Sequence, residues 1–145
     1  MKLKGIVVKG LSSASGKKQN WNGFGSIYHQ VNNIRKINPK IGQELLKCKM
    51  ATINVEFKNI FLPTKWEYIF NKIYWLPTSD TWSEKLSFTK ITVIYQQTNF
   101  IGWLYKADKS PHKNNLFQAE IISENIKNLK YNDEVILQID NKYFI

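Results

Sequence analysis

The fold is decided by the stretch Lys49-Met50-Ala51-Thr52-Ile53-Asn54-Val55-Glu56-Phe57. Apolar residues alternate there with polar ones, which is the two-residue period of a strand with one face in a core. Thr52 and Asn54 are two residues apart, so we expect them on the same outer face. Their hydroxyl and carboxamide can offer two neutral oxygens to a hard cation or to a ligand hydroxyl. The same pattern also fits ordinary polar residues on a solvated strand.

Five further segments are rich in β-branched and aromatic residues and are predicted to be strands. They are residues 2–9, 88–97, 100–105, 119–122 and 134–139. Residues 98–99 are predicted to turn the chain between the second and third of these. Residues 60–76 are dense in aromatic side chains and fit a helix or pieces of strand, as part of the core or as the wall of a ligand site.

Two helices are predicted between the first strand and the central stretch. The first begins near Ser26, because apolar residues recur there at helical spacing. They are Ile27, Val31 and Ile34. The second begins at Pro39 behind an Asn38 cap. Short strands outnumber helices, so we expect a mostly-β fold, a barrel with one or two inserted helices, formed by residues 1–145 as one domain.

Cysteine content and hydropathy limit the class of protein. Cys48 is the only cysteine among the 145 residues, which excludes an internal disulfide and a zinc site built from several cysteines. We expect a cytoplasmic protein, because the sequence also shows no secretory signal. No apolar run approaches the roughly 18 residues that a membrane span needs, so no membrane partner is expected.

The charge balance favours an anionic partner. The chain has 21 Lys and Arg against 11 Asp and Glu, a formal net charge of +10. The basic residues are almost all scattered lysines, however, and Arg35 is the only arginine, so an arginine cluster that reads DNA bases is absent. The charge therefore favours a nucleotide phosphate, a nucleic acid or an acidic lipid as partner, and sequence-specific recognition of DNA is not expected. The sequence does not determine the oligomeric state.

A loop of small residues and lysines follows the first strand. It reads Gly10-Leu11-Ser12-Ser13-Ala14-Ser15-Gly16-Lys17-Lys18. Such a loop can bring backbone N–H groups close to a phosphate while the ammonium groups neutralise it. The spacing is not that of a Walker loop, since five residues separate the two glycines. A flexible hairpin would have the same composition.

Five segments, in the same order along the chain, resemble the archaeal CTP-dependent riboflavin kinases. Residues 5–11 (GIVVKGL) are similar to the family's first strand and G-L-G-x-G loop, and residues 51–54 (ATIN) to its G-T-L-N strand. Residues 107–112 (ADKSPH) are similar to its P-x-x-T-x-H segment. Residues 120–124 (EIISE) and 129–135 (LKYNDEV) are similar to its E-I-I-A-P and L-K-x-G-D-x-V stretches. The resemblance implies a small closed six-stranded β-barrel of the cradle-loop type with one or two short helices.

The resemblance also implies a set of ligand contacts. Thr52 and Asn54 would coordinate Mg²⁺, and Ser110 and Glu120 would contact the flavin. CTP would be held by residues of the glycine-serine loop and by a segment after the 119–122 strand. These are Gly10, Leu11, Ser12, Ser13, Ser15, Gly16, Lys17, Lys18, Asn125, Ile126 and Lys127. No residue is assigned as a catalytic acid or base.

Two functions of different classes follow from these features. The first is transfer of the γ-phosphoryl group of CTP to the ribityl 5′-hydroxyl of riboflavin, giving FMN, with positioning and charge neutralisation as the main catalytic effects. The second is a non-catalytic binding module whose lysines and exposed aromatic residues contact a nucleotide or single-stranded nucleic acid.

Overall fold

A computed structural model of the chain describes residues 1–9, 26–74, 83–109 and 115–144. Over these ranges the protein is mostly β. The strands are β1 (Lys2–Val8), β2 (Ile53–Glu56), β3 (Tyr68–Tyr74), β4 (Ser83–Tyr95), β5 (Thr98–Ala107), β6 (Gln118–Ser123) and β7 (Glu134–Gln138). The helices are α1 (Ser26–Ile37), α2 (Pro39–Leu46) and a short 3₁₀ helix (Asn141–Phe144). The predicted mostly-β fold with two inserted helices is confirmed.

Six of the strands pair in a ring. Their order is β4-β5-β6-β2-β1-β7, every pairing is antiparallel, and β7 pairs back onto β4. The return pairing runs from Thr92 opposite Gln138 to Ile94 opposite Ile136. β3 stands outside the ring and pairs with the first half of β4. The ring gives the sheet an inner face and an outer face.

Each face carries its own hydrophobic core. Trp103 and Leu104 are neighbours on β5, yet they belong to different cores, because successive strand residues point to opposite faces. The inner core also contains residues of most other ring strands, among them Val7, Val55, Val93, Ile121, Val135 and Leu137. The outer core joins α1 and α2 to β3, β4, β5 and β6. The two helices therefore cover part of the ring from outside.

The two helices form where their sequence patterns predict them. Ile27, Val31 and Ile34 are at most 1% exposed, so the apolar stripe of α1 is fully buried. The Asn38 side chain accepts a hydrogen bond from the Ile41 N–H at 3.4 Å and caps α2. No helix within the described ranges is long and apolar enough to cross a membrane.

Two local predictions are wrong, and one alternative that the sequence left open is decided. The central strand begins at Ile53 rather than Met50, because the Ala51 N–H donates to Lys49 O at 2.8 Å and turns the chain before the ladder starts. The β4–β5 turn lies at residues 96–97 rather than 98–99, since both glutamines there have positive φ, 49° and 65°. The helical alternative for residues 60–76 fails, because Tyr68–Tyr74 pairs with β4.

Candidate functional site

The candidate site is built on a row of residues that face one another across four strands. Val8 of β1 stands opposite Asn54 of β2, Asn54 opposite Glu120 of β6, and Glu120 opposite Tyr105 of β5. Residues opposite each other in a sheet project from the same face. Tyr105 packs in the outer core, so this row, which we name the outer row, lies on the outer face of the ring.

Asn54 is the unusual member of the outer row. It is 6% exposed, and its Oδ1 is buried with no hydrogen-bond partner in the described part of the chain. The expectation of a solvated outer face is therefore wrong at this residue. An unpaired buried acceptor costs about 1–3 kcal/mol. The carboxamide oxygen is consequently a group that a cation or a hydrogen-bond donor of a ligand would satisfy.

Thr52, the predicted partner of Asn54, lies one residue before β2 and is half-buried. Regular alternation begins only at Ile53, so strand geometry does not by itself place the Thr52 hydroxyl beside the Asn54 oxygen. The shared face of these two residues stays a prediction. Glu120 is the polar residue that the sheet does place next to Asn54.

A cleft opens at the other side of Glu120. β5 and β6 make their last pair at Tyr105 and Glu120, after which the two strands diverge. The segment before β3 lies across the gap, where the Phe61 N–H donates to Leu116 O at 2.6 Å. The cleft encloses about 570 Å³ of empty space, part of it open to solvent.

The walls of the cleft differ in character. One wall is apolar and consists of Phe61, Leu62, Pro63 and Trp66. The opposite wall is formed by the diverging strands and includes Tyr105, Lys106, Gln118 and Glu120. Sequence reasoning left the aromatic segment open between core and ligand wall. The structure places Phe61 in the inner core and also on the lining of the cleft.

A buried polar network adjoins the outer row. The Tyr105 hydroxyl donates to Gln30 Oε1 at 2.9 Å, and Gln30 Nε2 donates to Glu84 Oε1 at 3.4 Å. Glu84 Oε2 accepts from the Lys109 N–H at 2.8 Å. Burial raises the pKa of Tyr105 well above its ordinary value, and the charges of Glu120 and Glu84 raise it further. Tyr105 therefore stays protonated and acts as a donor.

Sequence reasoning missed Gln30 and Glu84. Gln30 lies between Ile27 and Ile34 on the apolar stripe of α1, and a polar residue in that position was the available signal. Glu84 carries no comparable signal, because a glutamate at the start of a strand is usually exposed. Here it is 3% exposed.

The predicted cytosine-contacting segment follows β6. Ile126 is 8% exposed and packs in the inner core, whereas Asn125 and Lys127 are exposed. The next residues are tied to the ring, since the Asn132 N–H donates to Val7 O at 2.7 Å. The Tyr95 hydroxyl donates to Asp133 Oδ2 at 2.7 Å, which lowers the pKa of Asp133 and raises that of Tyr95. Of the three predicted residues, only Asn125 and Lys127 have side chains exposed enough to contact a ligand.

The other predicted ligand contacts lie outside the described residues. They are Gly10, Leu11, Ser12, Ser13, Ser15, Gly16, Lys17, Lys18 and Ser110. Among the residues that the structure does describe, no group of three or more His, Cys, Asp and Glu side chains could hold a metal ion. No protein-family model and no curated protein sequence matches the chain.

Proposed function

We propose that the protein is a phosphotransferase of the CTP-dependent riboflavin kinase type and that its ring of strands is a closed cradle-loop barrel. The observation that carries the proposal is the position of Glu120. It is the cross-strand neighbour of Asn54, whose buried oxygen has no partner among the described residues, and it also lines the cleft. Two groups of the reaction, a metal-bound phosphate and an acceptor hydroxyl, would have to meet at such a residue.

The residues of the outer row fit a magnesium ion. Mg²⁺ prefers hard oxygen ligands and is usually bound through few protein groups together with waters and nucleotide phosphates. Asn54 Oδ1 and the Thr52 hydroxyl are neutral oxygens of this kind, and each would donate a lone pair. The ion would neutralise charge on the transferring phosphoryl group. Filling the Asn54 site would also remove the cost of its unpaired oxygen.

The nucleotide would reach this face from the end of β1. Val8 stands opposite Asn54 and is the second residue before Gly10, where the predicted phosphate-binding loop begins. Lys17 and Lys18 of that loop would offset phosphate charge. The exposed Asn125 and Lys127 follow β6, the strand that carries Glu120, and would contact the base.

The acceptor would occupy the cleft. Its apolar wall suits a planar aromatic ring system such as a flavin, and Glu120 would accept a hydrogen bond from a hydroxyl of the same ligand. In the reaction the acceptor oxygen forms a bond to the γ-phosphorus, the bond between that phosphorus and the β,γ-bridging oxygen breaks, and CDP leaves. The acceptor proton is released to solvent. The protein contributes orientation and charge neutralisation.

Product formation tests the proposal directly. Purified protein is incubated with riboflavin, Mg²⁺ and each nucleoside triphosphate in turn, and FMN is separated by chromatography. We expect FMN with CTP and Mg²⁺, none after chelation of the metal, and none from Asn54→Ala. Glu56→Ala is the matched control, because Glu56 is an exposed residue of the same strand.

A thermal-shift series separates the proposed kinase from the non-catalytic binding module. A gain in Tm that is specific for CTP with Mg²⁺ supports the kinase. A gain with any polyanion, lost at moderate salt and unaccompanied by FMN, contradicts it and indicates a module that binds nucleic acid through its lysines.

A further inference from the structure

Glu84 is a buried carboxylate that the proposed reaction does not use. It is 3% exposed, and burying a carboxylate is costly unless hydrogen bonds compensate. Its two oxygens accept from the Gln30 side chain and from the Lys109 backbone. Gln30 in turn accepts from the Tyr105 hydroxyl. We name Glu84, Gln30 and Tyr105 the Glu84 network.

The Glu84 network has one end at the cleft. Tyr105 lines the cleft and forms the last cross-strand pair with Glu120. Its hydroxyl donates to Gln30, a residue of α1. The tyrosine side chain therefore cannot rotate away without breaking a buried hydrogen bond. The charge of Glu120 reaches Tyr105 and contributes to its raised pKa.

The other end of the network fixes the chain beyond β5. The Lys109 N–H donates to Glu84 Oε2, and the Asp108 N–H donates to Lys85 O at 3.1 Å. The Lys85 N–H donates to Asp108 Oδ1 at 2.9 Å. Lys109 directly precedes Ser110, a predicted flavin contact. The position from which the chain enters residue 110 is therefore set by Glu84.

A purely structural contact at this place would be easier to build from apolar residues. Replacing a buried polar group by a well-packed hydrophobic one is often neutral or stabilising. A buried network in which every polar group is hydrogen-bonded, in contrast, specifies one geometry. Each donor has few alternative acceptors nearby, and an unpaired polar group is costly in a medium of low dielectric constant. The Glu84 network connects α1, β4 and β5 in this way.

We infer that Glu84, Gln30 and Tyr105 are positioning residues for the acceptor, which fix the Tyr105–Glu120 pair at the cleft relative to the chain at Lys109 beyond β5. This inference rests on the proposed function in naming the acceptor as a flavin. Among the described residues, the hydrogen bonds of the network lead to the acceptor side, so its loss should affect acceptor binding and leave the nucleotide side unchanged.

The test uses Tyr105→Phe and Glu84→Gln in the full chain. Riboflavin affinity is measured by quenching of flavin fluorescence, and the affinity for CTP with Mg²⁺ by calorimetry. Each variant loses one hydrogen bond, so we expect riboflavin binding to weaken about tenfold while the nucleotide affinity stays within about twofold. The Lys109 amide is followed in a third variant, Glu84→Ala, which leaves no side-chain oxygen to accept from it, and we expect this amide to exchange faster with solvent there. Tyr143→Phe is the control, a buried tyrosine outside the network.

Each outcome decides the inference. Unchanged riboflavin affinity in both variants overturns the inference. A loss of riboflavin and nucleotide affinity to the same extent, in proportion to the drop in Tm, also overturns it, because it would reflect a general loss of stability. If the wild-type protein binds no riboflavin, the proposed function fails, and amide exchange then decides the network separately. An unchanged Lys109 exchange rate in Glu84→Ala would show that Glu84 does not position this part of the chain.

Discussion

Tyr105 and Glu120 face each other in the last pair of β5 and β6, and the Tyr105 hydroxyl is held by Gln30 at 2.9 Å. Tyr105 is thus a buried phenol close to a carboxylate at the mouth of a cleft. Burial first, and then the charges of Glu120 and Glu84, raise its pKa well above the ordinary value. The first prediction concerns this tyrosine at alkaline pH.

Because the folded state raises the pKa of Tyr105, the native protein holds the phenol proton more tightly than the unfolded chain. Its contribution to stability is complete below about pH 10 and is lost as the pH rises above that value. We expect the free energy of unfolding to fall less steeply above pH 10 in Tyr105→Phe than in wild type. Urea unfolding from pH 8 to 11 measures this, and equal slopes would contradict it.

Asn54→Ala should separate stability from function. The substitution removes side-chain packing but also removes a buried oxygen that has no partner among the described residues, so the change in unfolding free energy should stay below about 1 kcal/mol. Mg²⁺-dependent CTP binding should be lost. Chemical denaturation and calorimetry measure the two effects. Unchanged CTP affinity in the folded variant would show that Asn54 is not a metal ligand.

The contact between the two helices leaves no room at Gly42. A Cβ there would lie 2.4 Å from the Arg35 Cα and 2.8 Å from the Arg35 N, and backbone atoms cannot move aside as a side chain can. We expect Gly42→Ala to destabilise the protein by about 1–3 kcal/mol, although alanine is the better helix former. Gln43→Ala, at an exposed position of the same helix, should be close to neutral. Thermal unfolding of both variants checks this prediction. A Tm of Gly42→Ala equal to that of the wild type would refute the close contact.

Cys48 should react slowly with thiol reagents in the native protein. Burial, assisted by the charges of Glu124 and Glu44, raises the pKa of its thiol to about 11, so little thiolate is present at pH 8. Labelling with a chromogenic disulfide at pH 8 should be slow, and it should become fast in urea. Cys48 is the only cysteine, so the signal has one source. Fast native labelling would show that the outer core opens readily here.

Local sequence patterns predicted most of the helices and strands. The apolar stripe at Ile27, Val31 and Ile34 is a local property of α1, and the structure buries all three residues. The alternation around Val55 likewise predicted a strand. Its late start at Ile53 could not be predicted, because the chain just before it is held by the Lys49 N–H donating to Ser123 O, a residue more than 70 positions away.

The candidate site was predictable only in part. Alternation predicted that Asn54 points away from the inner core, but it carried no information about the burial of the outer face. The placement of Glu120 beside Asn54 follows from the pairing of β2 with β6, which no local pattern encodes. Gln30 and Glu84 become neighbours only when α1 packs on β4. Their contact could therefore not be predicted from the pattern of either segment alone.

The pairing of β1 with both β2 and β7 bears on how the chain folds during synthesis. β1 is synthesised before the other described strands, yet its five-residue register with β7 requires residues 134–138. Until those residues emerge, one edge of β1 has no partner strand, and the β4–β7 pairing cannot form either. Such long-range pairing slows folding. Chains stalled before residue 134 should therefore be captured by chaperones and cleaved by proteases more readily than the finished protein.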